Sequence, residues 1–453
     1  MPVTTLPNNG ATLAVPSHLR IVPAFNVEAD RERWNVVEQL LAKDFASHHV
    51  EVLNRHTKEY QPNYAVHALL SFYKINASET VMKERYDLES KMLDPAGPVT
   101  VKITADNWTE YLGKGQTHYT AYTQFFLTEI ETNGIKPTIA TYLPTLVRGL
   151  GNDCFHPLVH LGLGLEFQHP FVIAQGLAYW AYTYTPIIDS LPPTVDDDDT
   201  ANVLEILQDA REDVRFDPEQ IHPHWGQLEF HKRVRKAVGS KLGQDLAELV
   251  SEWKIEENEH SIRAALEELT NAVVLVAVTT GHVFPQQLDF PLMQGLIACK
   301  YLHTTLAFLP TQKDQIHLLR RFLLVLLALY VSQGRPNLHP DRLETAYFDS
   351  MDMEPLSTSP PVGSPTLPST PALMAREWHA LCGAPAHLDD DVHVMEACAA
   401  LKMFEDLYGE KSGAYLKAAK VVRSVVKTGS GEEWEFRGCG YPQASSFLLE
   451  EEE

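Results

Sequence analysis

Basic residues, paired cysteines and strand-like alternation are all scarce in this chain. Its 453 residues carry 37 Lys and Arg against 60 Asp and Glu, a formal charge of −23. A surface that acidic repels nucleic-acid phosphate and anionic lipid, so neither nucleic acid nor a membrane is expected as a partner. Cys154, Cys299, Cys382, Cys398 and Cys439 form no CxxC pair, and their odd number points to free thiols in a reducing compartment. The first twenty residues hold no basic stretch followed by an apolar one, so no secretory signal is expected. The most apolar run, FLLVLLALYV at 322–331, is too short to span a bilayer and follows Arg320 and Arg321. It reads as a fully buried helix. The expectation is a soluble, cytoplasmic protein, and the sequence carries no signal of oligomeric state.

Nucleotide and nucleophile motifs are missing as well. GKGQTH (113–118) and GSGEEW (429–434) lack the third glycine and the strand–helix setting of a dinucleotide loop. There is no GxxxxGK[ST] phosphate loop, no GxSxG elbow and no HExxH pair. A Rossmann nucleotide site is therefore not expected, and no repeat of fixed period is present.

What the chain does have is helical periodicity. Hydrophobic residues make up 44% and charged ones 21%, enough core for a folded protein and too little charge for a disordered one. Length alone allows about three domains at ~150 residues each. In RERWNVVEQLLAKDF (31–45), Trp34, Val37, Leu40 and Leu41 form one apolar stripe. NYAVHALLSFYKI (63–75) repeats the pattern, and YTAYTQFFLTEIETNG (119–134) stops on Asn133-Gly134. Further helices are expected at 79–93, 137–149, 156–166, 170–184, 201–212, 228–251, 257–280, 290–308, 314–332, 389–408 and 412–427. VTVKI (99–103) and EWEFRG (433–438) alternate weakly and read as short extended pieces.

The fold class expected is all-α: a single large multi-helix domain with buried apolar helices and a Pro-rich surface insertion. Its parts are a main body (1–350), a Pro/Ser/Thr-rich surface segment (351–376), a C-terminal helical part packed on the body (377–445) and an acidic tail (446–453). Prolines at 355, 360, 361, 365, 368 and 371 exclude helix from 354–373. The acidic run in LPPTVDDDDTA (191–201) reads as a solvated loop that caps the next helix.

There are 20 histidines. His56, His118, His231, His260, His317 and His339 sit in mixed surroundings and read as surface residues, and His222 and His224 flank a proline in a loop. Four lie on apolar faces: His67, His156, His160 and His393. In CFHPLVHLGLGLEF (154–167), His156 and His160 are four apart and share a helix face, with Pro157 in the first turn. Two imidazoles so placed suit Fe, Zn, Ni or Cu. His393 and Glu396, three apart, bring an imidazole and a carboxylate to one face. Glu166 falls on another side of the helix and reads as a supporting residue. Satisfied core histidines fit the same spacing, and Cys154 beside His156 raises a cysteine nucleophile. These readings stay open on spacing alone.

The segment CFHPLVHLGLGLEFQHPFVIAQGLAYWA (154–181) resembles the HPxxHLGxGLEF segment of the questin oxidase-like fungal oxidoreductases, a family that includes a Baeyer-Villiger-type enzyme of the aflatoxin pathway. YAVHALLSFYKINAS (64–78), LDFPLMQGL (288–296), HVMEACAAL (393–401) and WEFRGCGYPQA (434–444) are similar to four other family segments in the same order. The resemblance implies O2-dependent oxidation of a polycyclic aromatic polyketide such as an anthraquinone, by Baeyer-Villiger-type insertion or ring cleavage. It implies a non-haem iron, or another divalent metal, held by histidines and a carboxylate. It also implies NADPH, for which no motif is seen. Carried onto this chain, the metal set is His67, His156, His160, Gln294, His393 and Glu396, with His156, His160 and Glu396 as catalytic residues. Tyr64, Phe155 and Trp180, with Tyr73, are candidates to line an aromatic substrate pocket, with core packing the safer role for each. The chain departs from the family at four places: Gln294 stands for a histidine, Pro291 for a phenylalanine, Glu396 for a lysine and Ala399 for an arginine. Those departures keep two alternatives in view, a metal-free acid–base enzyme on a similar aromatic or lactone substrate and a non-catalytic binding protein.

Overall fold

In the computed structural model, residues 30–441 are described except 54–59, 151–153, 185–191, 194–199, 218–232, 235, 238–240, 282–286, 342, 344–369, 383–386, 427–433 and 437. Fifteen helices account for most of them. In chain order they are α1 (Arg31–Ser47), α2 (Tyr64–Lys74), α3 (Glu79–Ser90), α4 (Tyr119–Asn133), α5 (Ile135–Leu146), α6 (His156–Phe167), α7 (Pro170–Tyr182) and α8 (Val203–Glu212). Then follow α9 (Lys241–Ser251), α10 (Glu259–Thr279), α11 (Phe290–Leu306), α12 (Gln312–Ser332), α13 (Thr370–Cys382), α14 (Val392–Tyr408) and α15 (Ala414–Val425). The all-α expectation holds.

Apolar pattern sets the depth of each helix. A helix that is apolar all round must be enclosed by others. Every residue of α6 and of α11 is buried, and α12 is buried from Arg321 to Ser332. By length and composition α12 could cross a membrane, which the ten-residue apolar run did not suggest, and here 83% of that apolar window is enclosed by the bundle. One-faced helices such as α8, α9 and α15 pack around this centre with their charged sides outward. Each fully buried Leu or Phe contributes about 1.5–3 kcal/mol, so these three helices supply much of the folding drive.

Close approach of the central helices depends on glycine. A Cβ on Gly162 of α6 would lie 2.4 Å from the Cβ of Tyr301 on α11, and one on Gly176 of α7 would lie 2.6 Å from the Cα of Leu161. The glycines of the HLGLGLEF stretch are thus contact points between helices.

Several expectations need correction. Residues 99–103 form no strand. Among the described residues the strands are β1 (Glu51–Leu53), antiparallel to β2 (Tyr60–Pro62), and β3 (Leu288–Asp289), parallel to β4 (Trp434–Glu435). Within EWEFRG, Trp434–Glu435 is extended, and its partner lies far away in sequence. Helix α13 begins inside the Pro-rich stretch, at Thr370, with Pro371 at the start, where a missing N–H costs nothing. His317 is half-buried rather than on the surface; burial and the neighbouring guanidinium groups hold its imidazole down at about 4. His56, His222, His224, His231, the acidic run at 196–199, the Pro-rich residues 354–369 and the acidic tail lie outside the described residues.

Candidate active site

Four helices, α2, α6, α11 and α14, meet with their first turns together. Each start is fixed by its own sequence. Asn63 caps α2, accepting from the Ala65 N–H at 2.9 Å, while its amide donates to Asp44 and to the His49 carbonyl. Asp289 caps α11, accepting from Leu292 N–H at 3.0 Å, and its other oxygen accepts from Gln333. Asp391 caps α14, accepting from the N–H groups of His393 (2.7 Å) and Val394 (3.3 Å). Helix α6 has no such cap. It follows Cys154 (φ 48°) and Phe155 (φ 72°), both left-handed, with Pro157 in its first turn. A bulky side chain in that region costs roughly 1–2 kcal/mol. Phe155 is fully buried and stacked on Phe322 at 4.4 Å, which holds the turn in place.

A small pocket opens between these helices, and its polar lining comes in two tiers. The upper tier comes from the first turns: Tyr64, His67, Gln294 and His393. The His67 and His160 rings share a hydrogen bond, Nε2 to Nδ1 at 3.1 Å, and Tyr64 Oη and His156 Nε2 share another at 3.1 Å. Burial, reinforced by the facing imidazoles, drives the His67 pKa well below the usual histidine value. Burial also holds His160 down at about 4. Both rings are therefore neutral at physiological pH. His393 Nδ1 lies 3.2 Å from Asp391 Oδ1. The rings of Tyr64 (5.0 Å) and Phe290 (4.8 Å) stand edge-on around its imidazole. Burial pushes the Asp391 carboxyl up, but its bonds from His393 and from the Trp434 indole outweigh that and hold it at about 2. Two nitrogens of this tier, Gln294 Nε2 and His393 Nε2, are buried and make no hydrogen bond.

The lower tier is ionic. Glu396 Oε1 accepts from Ser71 Oγ at 2.5 Å and pairs with Lys74 Nζ at 2.9 Å. Its Oε2 accepts from Tyr301 Oη at 2.6 Å and Lys300 Nζ at 3.0 Å. Glu166 Oε2 bridges the same two ammonium groups, at 3.2 Å from Lys74 and 3.3 Å from Lys300. Burial opposes ionisation of Glu396, yet the two ammonium groups and two hydroxyls hold it well below the ordinary carboxylate range.

The structure therefore gathers His67, Gln294, His393, Glu396 and Tyr64 at one cavity. His156 and His160 do not line it; they sit behind, reached through Tyr64 and His67. Phe155 and Trp180, expected to face substrate, are core residues away from the cavity, and Tyr73 packs on Trp34. Lys74, Lys300, Tyr301, Ser71 and Asp391 were not picked out from sequence. The available signal was a lysine inside a mostly apolar helix, IACKYLH (297–303), where a buried charge demands a partner.

As placed, these residues do not fit a metal ion. Among the described residues, no three His, Cys, Asp or Glu side chains are arranged to hold one. Glu396 has donors on both oxygens, two of them cationic. The His67 and His160 nitrogens bond to each other. The four helix starts add positive potential, which favours anions over cations.

Residues 62–401 match the model of the questin oxidase-like family, a span that begins just before α2 and ends within α14. The chain belongs to the questin oxidase-like family. Helices α2, α6 and α11 fall wholly within the matched span, and α14 as far as Leu401. Relatives include the Baeyer-Villiger monooxygenase dmxR6 of a Cryptosporiopsis species, 24% identical over 59% of this chain and 62% of that one. Oxidoreductase AflY of Aspergillus parasiticus is 25% identical over 66% of this chain and 62% of that one. A questin oxidase of Aspergillus terreus is 21% identical over 84% of this chain and 80% of that one. The matched stretch thus spans about three fifths of the first two relatives.

Proposed function

We propose that this questin oxidase-like protein is an oxidoreductase of fungal secondary metabolism that oxidises a polycyclic aromatic polyketide, such as an anthraquinone, with O2. The names of its relatives support the reaction class. The observation that carries the reading is the pair of unpartnered cavity nitrogens, Gln294 Nε2 and His393 Nε2. A buried polar atom left unpaired costs about 1–3 kcal/mol, and a ligand oxygen would recover that. The amide of Gln294 donates to a carbonyl or phenolate oxygen. The Asp391 carboxylate accepts a hydrogen bond from His393 Nδ1–H, so in the neutral ring Nε2 carries the lone pair, suited to accept a phenol proton. Four helix starts stabilise the resulting anion. An electron-rich phenolate is the kind of substrate that O2 oxidises, whereas closed-shell neutral aromatics react slowly.

Ring cleavage places both oxygen atoms in the product and needs no other reductant. Baeyer-Villiger insertion places one oxygen in the product and releases the other as water, drawing two electrons from a reductant such as NADPH. Oxygen uptake and ¹⁸O incorporation with hydroxyanthraquinones, with and without NADPH, separate the two. Wild-type protein should consume O2, and His393→Gln should not. Turnover without O2 uptake would instead favour acid–base chemistry on a lactone, which the same His393 lone pair would serve.

A further inference from the structure

We propose that Lys74, Glu166, Lys300 and Glu396 form a closed ion quartet that stands in place of a metal ion at the junction of the four helices. Each charge comes from a different helix: Lys74 from α2, Glu166 from α6, Lys300 from α11 and Glu396 from α14. Cation and anion alternate around the ring at 2.9–3.3 Å, and the charges sum to zero. All four side chains are nearly enclosed, with Lys300 at 4% exposure. Bundle proteins often tie such a junction with carboxylates around a cation. Here two ammonium groups already supply the positive charge that such a cation would bring.

The ring is also complete. Ser71 and Tyr301 hydroxyls fill the remaining acceptor positions of Glu396, so no oxygen of that carboxylate faces the cavity unbonded. A divalent cation entering here would displace a donor and meet two ammonium groups at contact distance. Gln294 and Glu396 stand where the family resemblance leads one to expect a histidine and a lysine. An amide nitrogen pointing into the cavity and a carboxylate already neutralised both suit a site without metal. This inference rests on the proposed site but not on the proposed reaction, since its readout is metal stoichiometry rather than turnover.

The test is elemental mass spectrometry with thermal melts on the full chain, expressed with iron, manganese and zinc supplied. Wild type should hold far less than one equivalent of any metal. Its Tm should not respond to EDTA or to added Fe(II), Mn(II) or Zn(II). Lys74→Met/Lys300→Met leaves two carboxylates unpaired among the helices. It should melt lower in EDTA and regain Tm when Mn(II) or Zn(II) is added. The charge-balanced Lys300→Met/Glu396→Met variant should fold without metal, and it decides the matter if the first variant does not fold. One equivalent of metal in wild type, stripped by EDTA with a fall in Tm and lost in His67→Ala, overturns the proposal. A folded Lys74→Met/Lys300→Met variant that gains no cation overturns it too, as does a charge-balanced variant that folds only with metal.

Discussion

The upper and lower tiers of the cavity rise from the same four helices, a turn or two apart, yet they are finished differently. Below, every charge has an opposite charge and Glu396 has a donor at each position. Above, the His67 and His160 imidazoles are neutral, and Gln294 Nε2 and His393 Nε2 are left without partners. A fully paired polar cluster rigidifies a core, while an unpaired one is a place for something to bind. The helices thus carry cement and binding surface on successive turns.

Acid should separate the tiers with the largest effect. Imidazoles of the unfolded chain take up protons near 6.5, whereas folded His160 and His169 do so near 4 and His303 near 3. Between those values the unfolded chain binds more protons. The stability these residues confer is therefore full above pH 6.5 and drains as pH falls towards 4, by about 3 kcal/mol per group at 1.36 kcal/mol per unit. Glu396, held low, stays ionised through that window. Urea titrations at stepwise pH should show stability falling from pH 6.5 downward, and a flat profile to pH 4.5 would contradict the neutral-imidazole picture.

Next in size is a break in the lower tier. Lys300→Met leaves two buried carboxylates against one ammonium and should cost about 3–5 kcal/mol in urea unfolding. The upper tier responds in turnover instead. Asp391→Asn keeps a good helix cap but loses the carboxylate that orients His393. It should lower turnover by about 10²-fold with little loss of stability. An equal loss of stability in both variants would mean that the tiers are not distinct.

Gly162→Ala tests the contact that joins them. The new methyl would force α6 from Tyr301 and should cost about 1–3 kcal/mol. The smallest effect has the opposite sign. Gln294→Leu removes an unpaired amide and should leave stability unchanged or raise it by about 1 kcal/mol, while weakening binding of an aromatic ketone measured by fluorescence quenching.

Much of this was legible beforehand. The 3.6-residue periodicity of 31–45, 63–75 and 290–308 marked real helices, because a helix must put one face or its whole surface inside. His67, His156, His160 and His393 stood out as polar residues on apolar faces, and they do gather at one junction. Strand β4 was only half legible, since its partner, Leu288–Asp289, lies 146 positions earlier and pairing over such a distance leaves no local pattern. Helix α13 was hidden by prolines, whose cost vanishes at a helix start.

The sequence by itself determined the helices, their buried faces and which rare polar side chains those faces would carry inward. Periodicity and capping are local, so a single chain displays them. Tertiary structure alone decided that Lys74 and Lys300 would face Glu166 and Glu396, that His160 would bond to His67, and that Gln294 and His393 would keep a nitrogen unpaired. A buried charge announces only that it needs a partner; which partner it finds depends on how helices far apart in the chain are packed.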